Sequence, residues 1–154
     1  MRLLDADRGR APSMSFKSKT LLTAALLLLG GCSDVNGLVL ESVEVRVGTA
    51  IVESVAVADV GTTTITGAVP RAATFLLAYD EPVDLPSARE HILLRNEAGS
   101  TLPCTIAAEQ QKLSLVPAQS LATGRSHLIK VEPGVEDVAD NATGYTRTIV
   151  FSAE

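Results

Sequence analysis

The chain has 154 residues, a formal net charge of −5 at pH 7 and 46% hydrophobic residues, with no Trp, two His and two Cys. Phosphate-backbone recognition needs clustered Lys and Arg, so this acidic balance excludes nucleic acid as an expected partner. With only His91 and His127 to draw on, a histidine metal centre is not expected either.

In chain order, the first feature is an export signal. Met14 to Thr20 carries Lys17 and Lys19 without an acid, and Leu21 to Leu29 is apolar apart from Thr23. The run falls short of the roughly 20 residues that a membrane span requires and has the layout of a cleaved secretory segment. Residues 1–13 fit poorly, because Asp5 and Asp7 would lie where positive charge belongs, so Met14 is the expected true start.

Leu29-Gly30-Gly31-Cys32 closes the segment. It resembles the lipobox of bacterial lipoproteins, a leucine and two small residues before the cysteine at which processing occurs. The resemblance implies a diacylglycerol thioether on Cys32, cleavage between Gly31 and Cys32, and fatty acylation of the new amino terminus, for example by palmitate. One acyl chain binds a membrane reversibly, whereas two or more anchor stably. By resemblance to Gram-negative sorting rules, Ser33 after the cysteine implies the outer membrane.

Removal of residues 1–31 as signal peptide leaves one domain's worth of chain, able to bury roughly two-thirds of its unfolded surface. Eight Lys and Arg remain against sixteen Asp and Glu, a net charge of −8, which leaves membrane attachment to the lipid rather than to anionic headgroups. With Cys32 acylated, Cys104 has no partner for a disulfide. Alternation places Leu102, Cys104 and Ile106 on one face, which makes Cys104 a buried, inert thiol.

Ser33 to Gly37 is a polar tether, under about 20 Å even when fully extended. Leu38 to Val47 alternates Val43, Val45 and Val47 with Glu44 and Arg46, and Ile51 to Ala58 repeats the pattern through Val55 and Val57. Both are first strands of the domain, or the earlier belongs to a stalk. Residues 32–50 therefore read as lipidated cysteine, tether and possible extra strand, and 51–154 as the domain. Further strands are expected at Thr62–Thr66, Ala73–Tyr79, His91–Arg95, Thr101–Ala107, Lys112–Val116, Ser126–Glu132 and Tyr145–Ser152. Turn clusters such as Asn96–Gly99 and Pro133-Gly134 separate them, and only Leu85–Glu90 suits a helix. The fold class is all-β, a sandwich or barrel. Its core comes from Phe75, Leu77 and Tyr79, then Ile92, Leu94, Leu113, Leu115, Ile129, Val131, Ile149 and Phe151.

Ala73 to Asp84, Ile92-Leu93-Leu94, Lys112 to Pro117, Leu121 to Gly124, His127 to Val131 and Gly134 to Asn141 follow one another in a familiar order. Together they resemble bacterial Ig-like domains of the type found in the S-layer protein SbsA, over about residues 51–154. The resemblance implies a single Ig-like β-sandwich. Where that family usually has Tyr this chain has His127, which is expected to fill an aromatic's place. Where it usually has Gly this chain has Asp140, which only tolerates positive φ.

Glu136, Asp137, Asp140 and Asn141 supply three carboxylates and an amide within six residues, a donor set suited to calcium, although without EF-hand spacing. The competing role is turn formation through bonds to their own backbone. Asp80, Glu81 and Asp84 read as a solvated turn around Pro82, and His91 should face solvent. No nucleophile stands beside an oriented base, and no Gly-rich phosphate loop is present, so the chain is not expected to be an enzyme. The expected protein is lipid-anchored in the cell envelope and acts as a structural or protein-interaction module. Two alternatives are a glycan- or peptidoglycan-binding module, which would need an exposed Tyr79 or Tyr145, and a calcium-dependent adhesin.

Overall fold

Period-two alternation becomes strand wherever one set of side chains can reach a shared interior. A computed structural model describes residues 37–58 and 61–154. The export segment, Cys32 and the Gly31–Cys32 cleavage point lie outside the described residues. Within them are β1 (Leu40–Val47), β2 (Ala50–Ala56), β3 (Gly61–Thr64) and β4 (Thr74–Tyr79), then the helix α1 (Leu85–His91). There follow β5 (Ile92–Asn96), β6 (Thr101–Leu102), β7 (Cys104–Glu109), β8 (Lys112–Pro117), β9 (Ser126–Val131) and β10 (Arg147–Ser152). No helix among the described residues is long and apolar enough to cross a membrane.

The strands form two five-stranded sheets, ordered β2-β1-β4-β8-β7 and β3-β10-β9-β5-β6. All pairings are antiparallel except β3 with β10, which are parallel from Gly61–Arg147 to Thr64–Val150. Their inner faces supply the core predicted from alternation. Phe75, Leu77, Leu94, Leu113, Leu115, Ile129, Val131 and Ile149 are fully buried, and Tyr79, Ile92 and Phe151 nearly so. Phe75 of one sheet meets Phe151 of the other at a ring separation of 4.7 Å. His127 stacks on Phe151 at 5.6 Å and 16°, 2% exposed, and its Nδ1 bonds the Arg125 carbonyl. It does occupy an aromatic's place.

The tether's neighbourhood corrects the boundary read from sequence. β1 lies between β2 and β4, pairing with both, and buries Leu40, Val43 and Val45, with Leu38 buried just ahead of it. β1 is thus an interior strand of its sheet, with β2 outside it at the edge. Residues 38–47 therefore belong to the sandwich, not to a stalk. The sandwich begins thirteen residues before position 51.

A second correction falls at Pro103. The expected single strand Thr101–Ala107 is two strands in different sheets, with Leu102 opposite Leu94 and Cys104 opposite Pro117. Proline has no amide hydrogen to give a ladder, so the chain leaves one sheet there and joins the other. Cys104 consequently sits half-buried at the open side of the sandwich rather than inside it. Burial still pushes its thiol up, against a smaller opposing effect from the Leu94 backbone.

Candidate functional site

The two ends of the sandwich differ in what they present. One end carries the start of β1, the end of β4, the end of β9 and the start of β10, since Leu40 pairs with Tyr79 and Arg147 with Val131. The loop 132–146 closes this end. Pro86 lies in the first turn of α1, and Asp84 caps the helix by accepting from the Ser87 amide. The Ser87 hydroxyl in turn accepts from the Glu136 amide, which pins the loop to the helix start.

The loop is organised by Asp137. Its Oδ1 accepts from the Ala139 and Asn141 amides at 2.7 and 2.9 Å, and its Oδ2 from Asn141 Nδ2 at 2.8 Å. Burial alone would raise the Asp137 carboxyl. The bonds from the Asn141 side chain and the two amides outweigh burial and hold it below its ordinary 3.8. Glu136 pairs through its backbone with Ala142, and Asp137 with Val83. Asp140, exposed, stands at φ +64.

The four residues read as calcium donors thus play different parts. Asp137 turns both oxygens inward, Glu136 lies in a short ladder, and Asp140 and Asn141 are exposed. Among the described residues no group of three or more His, Cys, Asp or Glu converges as a metal site. The geometry is that of the turn-forming reading, with Asn and Asp bonding their own backbone. His91 departs from its expected solvent position. It is half-buried, with its ring so close over Gly134 (φ +106) that a Cβ there would lie 2.8 Å from it.

Gly37 (φ +63) also abuts this loop, since a Cβ on it would collide with the Ala142 carbonyl. The chain leading back to Cys32 therefore leaves from the end that carries 132–146. Two large apolar side chains stand in solvent there, Val138 at 71% exposure and Tyr145 at 61%. Tyr79, by contrast, is buried, its hydroxyl without a hydrogen-bond partner among the described residues, and burial pushes its phenol well above the usual range.

At the opposite end the β1–β2 hairpin projects Val47, Ile51 and Val52 into solvent. A bulge explains the last two. Val45 pairs with Glu53 and Arg46 with Ile51, so Val52 is an extra residue without a partner on β1. Among the described residues no strand pairs with the other side of β2, which makes this seven-residue strand the edge of its sheet. The adjacent apolar pair Ile51-Val52 breaks period two, a signal in the sequence that one of them must point outward.

Between β5, β6 and β7 an open cleft of roughly 450 Å³ is lined by residues including Arg89, Leu102, Cys104 and Ile106. Arg89 is committed to the Ile106 carbonyl there. Across the outer face of the first sheet, Glu44 accepts from Arg46 at 2.6 Å and from Lys112 at 3.1 Å, tying β1 to β8 over β4. Those bonds hold the Glu44 carboxyl below its ordinary value.

A two-sheet antiparallel sandwich whose first sheet-switching strand runs parallel to the last defines an Ig-like module. The comparison with known families agrees, since a family model for the bacterial Ig-like domain matches residues 48–153, and the chain belongs to that family. Domains of the family are typically non-catalytic structural or interaction modules. The match opens after β1, although β1 is central to its sheet. No curated protein matches the chain.

Proposed function

We propose that the chain is a lipid-anchored protein of the cell envelope, held through Cys32 in the outer membrane, and that it presents its Ig-like sandwich to a protein partner without catalysis. The observation that carries this reading is the opposition of the two ends. The segment leading to Cys32 leaves one end, and the β1–β2 hairpin, with Val47, Ile51 and Val52 exposed beside the outer edge of β2, lies at the other. An extended partner segment would add to the β2 edge, taking its main-chain bonds there and seating side chains on Val47, Ile51 and Val52. Because β1 belongs to the sandwich, the tether is only residues 33–36, so the partner lies within one domain's length of the membrane.

Crosslinking in cells, followed by mass-spectrometric identification, tests the reading. One envelope protein should be recovered with the native chain and lost with Cys32→Ala and with the Ile51→Lys, Val52→Lys double variant. Recovery unchanged by both would sink it. A glycan-binding reading keeps one observation in its favour, the exposed ring of Tyr145. Retention on peptidoglycan that Tyr145→Ala abolishes would put that reading first.

A further inference from the structure

We infer that the 132–146 loop is a membrane-docking element that seats Val138 and Tyr145 in the headgroup region of a zwitterionic lipid surface and so fixes the orientation of the sandwich. The inference rests on the anchoring proposed above. Its starting point is where the described chain ends. Gly37 packs against Ala142, and five residue steps separate it from Cys32, a reach of about 17 Å at most. Whatever lipid Cys32 carries is therefore close to this loop.

The positions of the two apolar side chains follow from the loop's own pairing. Glu136 lies opposite Ala142, so Val138 stands two residues from that pair toward the tip of the turn, and Tyr145 three residues from it on the other side, toward β10. With at most about 3.4 Å per residue and about 5 Å across the pair, each lies within roughly 12 Å of Ala142, against which Gly37 packs. Tyrosine suits the boundary between headgroups and acyl chains, having an apolar ring and a polar tip. Two side chains alone would bind a bilayer weakly. Under a lipid anchor the second contact is intramolecular, so a small gain suffices to orient the domain.

Charge selects the lipid. Asp80, Glu81 and Asp140 are exposed on loops at this end and Glu109 closes β7 there, while Lys112 is drawn to Glu44 and the exposed Arg89 of α1 is held at the Ile106 carbonyl. Anionic headgroups would meet like charge, so the loop should dock on phosphatidylcholine or phosphatidylethanolamine and lift away as anionic lipid is added at low salt.

The chain has no Trp, so a single Trp can report depth. The full processed lipoprotein would be reconstituted in phosphatidylcholine vesicles as Val138→Trp, Tyr145→Trp or, as a control on the far hairpin, Val52→Trp. Quenching by brominated phosphatidylcholine should be at least about twofold stronger at positions 138 and 145 than at 52, and should fall when phosphatidylglycerol is included. Equal quenching at all three positions, in protein whose intact mass carries acyl chains on Cys32, would overturn the docking alone. An intact mass without acyl chains would overturn the anchoring and the docking together.

Discussion

Asp137 is the residue on which the 132–146 loop turns. Three hydrogen bonds converge on a carboxylate that is 2% exposed, and removing it strands two backbone amides and the Asn141 side chain. Asp137→Ala should lower stability by about 2–4 kcal/mol in denaturant unfolding, and Asp137→Asn by less, because an amide oxygen still accepts from the backbone. Since the folded carboxyl lies below its ordinary 3.8, its contribution is present above that pH and is lost as pH falls through the lower folded value. Unfolding midpoints measured from pH 5 downward should therefore fall more steeply for the native chain than for Asp137→Ala. The same inward bonds leave no open carboxylate pair for a cation. Millimolar calcium should leave the melting temperature unchanged, and a rise of several degrees would restore the adhesin reading. Asp140 was legible beforehand as a residue in glycine's place, and its φ of +64 is the conformation that reading requires.

At the scale of elements, β1 decides whether residues 38–47 form a stalk or part of the sandwich. Val43 and Val45 are buried between the sheets, and among the described strands β1 is the one that pairs with β2. Val45→Asp would place an unpaired charge in the core and should abolish cooperative unfolding by circular dichroism, whereas a stalk strand would tolerate it. Alternation made most strands readable. Phe75, Leu77 and Tyr79 need no partner's identity to declare a shared face, because their spacing is a property of one strand. What spacing cannot convey is which strand lies alongside. β1's interior place is set by pairing with Thr74–Tyr79, 28 to 39 residues on, and Pro103's transfer between sheets by where Leu94 and Pro117 lie. The candidate site divides the same way. The acidic residues announced a loop, but only its folded path put Val138 and Tyr145 beside the tether. Ile51-Val52 broke its alternation openly, yet the bare edge beside it came from the order of strands. Surface substitution there should be thermodynamically mild, so Ile51→Lys with Val52→Lys should shift stability by no more than about 1 kcal/mol while removing partner capture.

For the whole molecule, the two ends define a direction. The chain leaves toward Cys32 at the acidic end, and the β1–β2 hairpin faces the other way with Val47, Ile51 and Val52 in solvent. Ig-like sandwiches serve many purposes, so the fold by itself assigns none of them. In the proposed function the sandwich acts where it is held, which acylation of Cys32 would set. Intact-mass spectrometry of the native protein from a membrane fraction tests it most directly. The account predicts a chain of residues 32–154 carrying a diacylglyceryl group and an added fatty acyl chain, with Cys32→Ala appearing unacylated. A mature chain with an unmodified Cys32, or one that retains residues 14–31, would contradict it.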